Sequence, residues 1–108
     1  MMGIGMAQSS IKLTTYESEP CIEIRGEWDQ PSLDSLIKAF QKVIGKVEAR
    51  LFLRLSELDY LDSAGLGVIM FNMNELSKRN AKLILIEPSA EMRQILRTTS
   101  LDKVLEIR

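Results

Sequence analysis

Short apolar runs with two different periods alternate along this chain, and this alternation restricts its fold more than any other feature. Residues 21–25 and 50–55 place apolar side chains at every second position, the period of a strand with one buried face. Between them, seven apolar residues recur at spacings of three and four, as on one face of a helix: Leu33, Leu36, Ile37, Phe40, Val43, Ile44 and Val47. Strands and helices in this order predict crossover connections and a mostly parallel sheet.

Turn-forming residues mark the ends of the first helix. Ser32 or Gln30 is the expected N-cap, depending on whether Pro31 lies outside the helix or in its first turn. Gly45 falls inside the apolar pattern, so we expect the helix to end near it.

The pattern then continues into a second helix. Residues 56–62 are expected to form a loop, and a helix is expected to run from about Ser63 to Asn80, which tolerates left-handed backbone. Its predicted buried stripe comprises Leu66, Ile69, Met70, Met73 and Leu76.

The remaining elements are short. Residues 83–86 form a continuous apolar run, typical of a strand covered on both faces. Ser89 is expected to cap a third helix, and residues 104–107 are expected to form a last strand.

The first strand, residues 11–17, is expected to pair with residues 21–25. The turn between them, residues 18–20, is too short for a crossover, so the pair must be antiparallel. The prediction is therefore one α/β domain over residues 1–108. It has a mostly parallel sheet of four or five strands, an antiparallel N-terminal edge pair, helices after the strands, and a flexible segment at residues 1–10.

The composition excludes several function classes. A formal net charge of −1 gives no electrostatic footprint for nucleic acid or for an anionic membrane. The absence of histidine removes the commonest general base and metal ligand. No apolar run is long enough to span a bilayer. The single cysteine, Cys21, is expected to be a core thiol in a reducing compartment, which indicates a cytoplasmic protein.

Residues 58–67 join a predicted strand end to a helix start, where open α/β sheets meet their ligands and partners. Gly65 and Gly67 each cost about 1 kcal/mol of helix propensity relative to alanine. Close approach of a partner to the backbone explains them, and so does tight packing of the helix on the sheet. Ser63 likewise has two interpretations, as the helix N-cap or as an exposed phosphorylation site favoured by the helix dipole.

Three other features near this segment have alternatives. Trp28 is either a partner anchor or a cover over one end of the sheet. Glu57, Asp59 and Asp62 form either a metal site or, as we favour, a solvated acidic surface. The glycines do not form a P-loop, because no Lys-Ser or Lys-Thr pair follows them.

The sequence from Asp62 to Gly67, Asp-Ser-Ala-Gly-Leu-Gly, resembles the signature of STAS domains, specifically the bacterial anti-sigma factor antagonists. Residues 26–29, Gly-Glu-Trp-Asp, are similar to that family's Gly-Glu-x-Asp after the second strand. Residues 53–58 and 93–104 resemble its third strand and third-helix region, so the resemblance covers nearly the whole chain.

The resemblance implies a binding module, without cofactor or metal, and not an enzyme. In that family an anti-sigma factor of the histidine-kinase-like ATPase type phosphorylates the serine after the motif aspartate, which is Ser63 here. The unphosphorylated antagonist binds the anti-sigma factor and releases a sigma factor, phosphorylation ends the binding, and a serine phosphatase resets the cycle. The alternative is an accessory subunit of a lipid-transporting membrane ATPase, bound to it constitutively.

The expected partner surface centres on residues 59–62 and on the exposed face of the following helix, where Asn74 is a further candidate. Its members are Glu27, Asp29, Asp59, Asp62, Ser63, Ala64, Gly65, Gly67, Asn72 and Glu75. Three departures from the family stand out. Ala64 replaces a frequent second serine, Ser100 replaces a frequent glycine, and the sequence ends near the last strand, where many relatives continue into a terminal helix.

Overall fold

The computed structural model describes residues 10–28 and 32–108. Within them the chain forms five strands and three α-helices, in the order that the sequence predicts. The strands are β1 Ser10–Tyr16, β2 Glu19–Trp28, β3 Arg50–Leu61, β4 Lys82–Ile86 and β5 Glu106–Ile107, and the helices are α1 Leu33–Ile44, α2 Ser63–Ser77 and α3 Ala90–Thr98. Ser10 already belongs to β1, and the rest of the segment expected to be flexible lies outside the described residues.

The sheet has the strand order β1-β2-β3-β4-β5, with β1 antiparallel to β2 and the other pairs parallel. The predicted fold class is therefore confirmed. Glu17 and Ser18 connect β1 to β2 with φ of 50° and 66°, as in a two-residue type I′ turn. The turn thus lies one residue earlier than the sequence indicates.

All three helices pack on one face of the sheet. Right-handed crossovers that advance in one direction along a sheet must place their helices on the same side. On that side Ile22, Leu53 and Leu85 are buried in one core together with Phe40 of α1 and Ile69 of α2. This core holds the site segment between β3 and α2 against the sheet.

The opposite face has a smaller buried cluster of Cys21, Phe52, Ile84 and Ile86. The Tyr16 ring meets the Phe52 ring edge to face, with centroids 4.7 Å apart. Cys21 is therefore a core thiol, as predicted, and burial raises its pKa. β4 is covered on both faces, also as predicted.

The strand β3 extends six residues further than the sequence indicates, so the prediction of a loop from residue 56 is wrong. The pairing of β3 with β2 shifts by one residue between Glu23 and Arg25 and again between Gly26 and Glu27. At each shift β3 contains one extra residue, which resets the side-chain alternation. As a result Leu55, Leu58 and Leu61 are all buried, although they are spaced by three.

Most helix ends follow the prediction. Asn80 has a φ of 59° after α2, and Ser89 Oγ accepts a hydrogen bond from Met92 N at 3.2 Å at the start of α3. Ser100 takes the left-handed backbone, with φ 61°, that the family's glycine would favour. The last strand is shorter than expected, because a 3₁₀ turn at Leu101–Lys103 precedes it. In the described part of the chain, no helix is long and apolar enough to cross a bilayer.

Candidate functional site

The carboxyl ends of β2 and β3 place the predicted acidic residues on one edge of the sheet. Glu27 pairs with Tyr60 in the sheet register, and Trp28 pairs with Leu61. The backbone N–H of Asp62 then donates to the Trp28 carbonyl at 3.3 Å, which links the start of α2 to the end of β2. Glu27 and Asp59 are exposed, so the rim beside α2 carries carboxylates that face solvent.

Asp62, not Ser63, is the N-cap of α2. Its backbone is extended, and its Oδ1 accepts a hydrogen bond from Gly65 N at 2.9 Å. The first helical bond runs from Leu66 N to the Asp62 carbonyl at 3.0 Å. Of the two interpretations of Ser63, the one as helix N-cap is therefore wrong, and Ser63 is the first residue inside the helix.

The Ser63 hydroxyl is consequently available. The residue is exposed, and Oγ makes no hydrogen bond within residues 10–28 and 32–108. It lies in the first turn, where free backbone N–H groups and the positive end of the helix dipole favour an anion. A group of this kind can accept a phosphoryl group without loss of the helix cap.

The two glycines of the motif have different environments. Gly65 is buried, and a Cβ there would overlap the side chain of Leu61, which is itself only 2% exposed and cannot easily move. Tight packing thus explains Gly65, and its predicted place in an exposed contact surface is wrong. Gly67 is exposed, and a Cβ there would meet no heavy atom within 4 Å among the described residues beyond the adjoining helix backbone. Packing among residues 10–28 and 32–108 therefore does not explain why this helix position forgoes about 1 kcal/mol of propensity.

Gly67 lies on the floor of a groove between α1 and α2, which we call the α1–α2 groove. It has a volume of about 340 Å³. Its main lining residues are Ile37, Gln41, Ala64, Gly67, Val68 and Phe71. Phe71 is 63% exposed, an unusual state for so large an apolar side chain. Phe71 lies off the predicted buried stripe of α2, and this helical spacing is the sequence signal that could have identified it as exposed.

The expectation that Asn72 lies on the exposed face is also wrong. Asn72 is buried, with 7% of its surface exposed, and its Nδ2 donates to the Val68 carbonyl at 2.8 Å. Glu75 is half-buried and pairs with Lys78 at 3.0 Å, and Asn74 is exposed. Asp29 lies outside the described residues.

Trp28 covers the end of the sheet and does not project outward. It is 2% exposed within the main core, and its indole Nε1 donates to the Arg25 carbonyl at 2.8 Å. The second of the two interpretations of Trp28 is therefore the correct one.

Glu57, Asp59 and Asp62 are not grouped as metal ligands in the described structure. Glu57 pairs with Arg25 at 3.1 Å on the surface. In the part of the chain that the structure describes, no three histidine, cysteine or acidic side chains are close enough to hold a metal ion. Asp59 and Asp62 thus contribute negative surface beside Ser63.

A charged network lies on the open face of the sheet, away from Ser63. Glu23 is buried and accepts hydrogen bonds from Arg25 at 3.0 Å and from Arg54 at 3.2 Å. Burial acts to raise the pKa of Glu23, but the two guanidinium groups outweigh it, so the pKa of Glu23 is lowered. This network fixes β2 to β3 just before the first register shift.

A comparison with protein families matches the STAS domain over residues 10–108. The chain belongs to the STAS domain family. A curated relative, a putative anti-sigma factor antagonist of Thermotoga maritima, is 29% identical over 68 residues, which are 63% of this chain. The match spans 60% of that relative's length.

Solved structures support the STAS fold. An anti-sigma factor antagonist from Mycobacterium paratuberculosis aligns with a TM-score of 0.82 at 20% identity, over 93% of this chain and 85% of that one. The unphosphorylated anti-sigma factor antagonist SpoIIAA aligns with a TM-score of 0.76 at 21% identity, over 92% and 88%. SpoIIAA of Bacillus in its phosphorylated form gives 0.71 at 24% identity, over 92% and 91%.

Proposed function

We propose that this STAS domain is an anti-sigma factor antagonist whose binding is switched by phosphorylation of Ser63. The observation that carries the proposal is the exposed hydroxyl of Ser63, which follows the capping Asp62 and makes no hydrogen bond to the part of the chain that the structure describes. The similarity to proteins named anti-sigma factor antagonists supports the partner class, and SpoIIAA has been solved both with and without phosphorylation. The unphosphorylated domain binds an anti-sigma factor that is also a serine kinase, and so releases a sigma factor or another target.

In the switching step, the Ser63 hydroxyl accepts the γ-phosphoryl group of ATP, ADP leaves, and the kinase takes the hydroxyl proton. The phosphate adds a charge of about −1.5 to −2 next to Asp62 and Asp59. Two like unit charges about 5 Å apart repel by roughly 3 kcal/mol at an effective dielectric near 20. We propose that the partner carries negative charge opposite Ser63, so that the phosphorylated rim repels it by an energy of this order. The bulk of the phosphate adds to the loss of binding, and a serine phosphatase restores binding.

The remaining proposed contacts lie beside Ser63 and along α2. Glu27 and Asp59 lie on the rim, Ala64 and Gly67 follow on α2, and Glu75 lies two turns beyond Gly67. These positions are proposed from the sequence.

The experiment uses every histidine-kinase-like ATPase of the anti-sigma type encoded in the source genome, each purified and incubated with the domain and ATP. We expect one of them, here called the cognate kinase, to add a single phosphate at Ser63, identified by peptide mass spectrometry. The Ser63→Ala variant should remain unmodified and should still bind the kinase in the presence of ADP.

Two results would overturn the proposal. One is that no kinase of the set modifies or binds the wild-type domain. The other is constitutive co-purification with a membrane-transport ATPase, unaffected by Ser63→Asp, which would establish the accessory-subunit function instead.

A further inference from the structure

The exposed face of α2 extends from Ser63 along the helix axis. Residues four apart on a helix lie one above the other, so Ser63, Gly67 and Phe71 follow one another along this face. With a rise of 1.5 Å per residue, Phe71 lies about 12 Å from Ser63 along the helix axis. The α1–α2 groove therefore opens on the same side of the domain as the Ser63 hydroxyl.

A complex that is centred on Ser63 and has the usual interface area would also cover the α1–α2 groove. Stable interfaces bury about 800 Å² on each partner, equivalent to a disc with a radius of roughly 16 Å. A kinase that places its nucleotide at Ser63 and covers such an area must also cover Gly67 and Phe71. Both residues lie within this radius, and both are exposed.

The groove has the composition of an interface core and not of a solvated surface. Phe71 supplies a large exposed aromatic ring at its rim, and aromatic residues are enriched in binding hot spots. Gly67 leaves the floor open, since a methyl group there would have no heavy atom within 4 Å in the described part of the chain, apart from the adjoining helix backbone. An alanine would fit and would favour the helix, so the open floor has its explanation outside the monomer.

We infer that the α1–α2 groove receives an apolar side chain of the kinase that phosphorylates Ser63, with Gly67 as its floor and Phe71 as its rim. This inference rests on the proposed function. It assigns the two motif glycines different tasks, because Gly65 lets α2 pack on Leu61 whereas Gly67 keeps the docking groove open. Burial of Phe71 by the partner contributes affinity in both phosphorylation states, and the charge on Ser63 then decides whether the complex persists.

Calorimetric titration of the cognate kinase, with ADP bound, tests the groove through two variants. Gly67→Leu fills the floor, and Phe71→Ala removes the rim. We expect each to raise the dissociation constant at least tenfold, while the urea midpoint of Gly67→Leu stays at or above that of the wild type. Gly45→Leu makes the same change at another exposed glycine with open space around it, and Leu13→Ala truncates another exposed apolar residue. Both controls should bind within twofold of the wild type.

The outcomes separate the inference from the function on which it rests. If the cognate kinase phosphorylates the wild type at Ser63 but binds Gly67→Leu or Phe71→Ala within twofold of it, the groove inference is wrong and the proposed function stands. An equal loss of affinity in the controls would also overturn the inference. If no kinase phosphorylates the wild type, both proposals fail together.

Discussion

At the scale of single residues, the helix cap and the proposed phosphorylation site are two adjacent residues, Asp62 and Ser63. Asp62 satisfies a backbone N–H of the first turn through its carboxylate, so Ser63 makes no contribution to the cap. If the capping residue itself were phosphorylated, its hydrogen bond to the backbone N–H would have to be replaced each time the phosphate is added or removed. With the cap one residue earlier, the hydroxyl can change its chemical state while the helix start stays intact.

Asp62→Ala should lower the free energy of unfolding by about 1 kcal/mol, within the 0.5–2 kcal/mol range of lost N-caps. Ser63→Ala should change it by less than about 0.5 kcal/mol, as surface substitutions usually do. Urea unfolding followed by circular dichroism measures both, with Asp62→Asn as a control that keeps a capping side chain. A larger loss in Ser63→Ala than in Asp62→Ala would contradict this assignment of the cap.

Glu23 gives the stability of the domain a dependence on pH. Because its pKa is lowered in the folded state, its contribution is present above the unfolded pKa of about 4.3 and is lost as the pH falls through the lower folded value. Glu23→Gln should cost about 1–3 kcal/mol at pH 7, the value of hydrogen bonds to charged groups.

The measurement is urea unfolding of wild type and Glu23→Gln between pH 7 and pH 3. The difference between the two proteins should shrink below about pH 4.3 as Glu23 takes up a proton. Glu57→Gln, which breaks only a surface pair with Arg25, should cost no more than about 1 kcal/mol. A Glu23 difference that stayed constant with pH would disprove this account.

At the scale of elements, β3 and α2 both depart from a simple period. β3 buries Leu55, Leu58 and Leu61 because two register shifts each insert a residue, which carries the strand to the edge where Ser63 begins the helix. α2 buries Ile69 against the sheet and exposes Phe71 on its other side. The register shifts in β3 position the site, and the exposure of Phe71 on α2 leaves an apolar face beside it.

Truncation of buried residues in these elements should act through folding. Leu53→Ala in β3 and Ile69→Ala in α2 should each cost roughly 2–5 kcal/mol, because both side chains are fully buried in the main core. Phe71→Ala, two residues along the same helix, should cost less than about 1 kcal/mol. Thermal and urea unfolding provide the comparison. If Phe71→Ala destabilised the domain as much as Ile69→Ala, Phe71 would belong to the core and not to a binding surface.

At the scale of the whole molecule, the sheet is a platform with its three helices on one face and the Ser63 site at the carboxyl ends of its central strands. The main core passes beneath α1, α2 and α3 without interruption, and the smaller cluster supports the sheet from the other face. A charge added at the exposed rim breaks no buried contact. The proposed switch therefore needs no rearrangement of the fold.

Phosphorylation of Ser63 should leave the fold unchanged. The helix dipole contributes about 0.3–1 kcal/mol toward an exposed anion, while Asp62 and Asp59 repel the added charge, so stability should fall by no more than the few kcal/mol of that repulsion. Backbone amide chemical shifts should change for Asp62 to Leu66 and their immediate neighbours, and only slightly elsewhere in the sheet. Widespread shifts in β4 or α3 would instead indicate a conformational switch and would contradict the electrostatic one.

The local sequence alone determined the order of strands and helices, the buried faces of residues 22–24 and 51–55, and the motif that contains Ser63. The elements follow from the spacing of apolar residues, every second position in strands and every third or fourth in helices. This spacing depends only on residues that are close together in the sequence. The end of α2 near Asn80 and the cap of α3 at Ser89 were predictable for the same reason, since turn and cap chemistry depends on a few adjacent residues.

Only the tertiary structure decided which residues of the site are available. Leucines spaced by three do not fit the period of a strand, so the second half of β3 resembles a loop in the sequence. The pairing of β3 with β2 shows that the strand continues and takes up two extra residues at its register shifts. Asn72 is buried although polar, and Phe71 is exposed although apolar, because the packing of α2 between α1 and the sheet determines which of its faces is covered. Gly65 and Gly67 are the same residue type in the sequence. In the structure they differ, because Leu61 occupies the space that a side chain at Gly65 would need, whereas Leu61 does not occupy that space at Gly67.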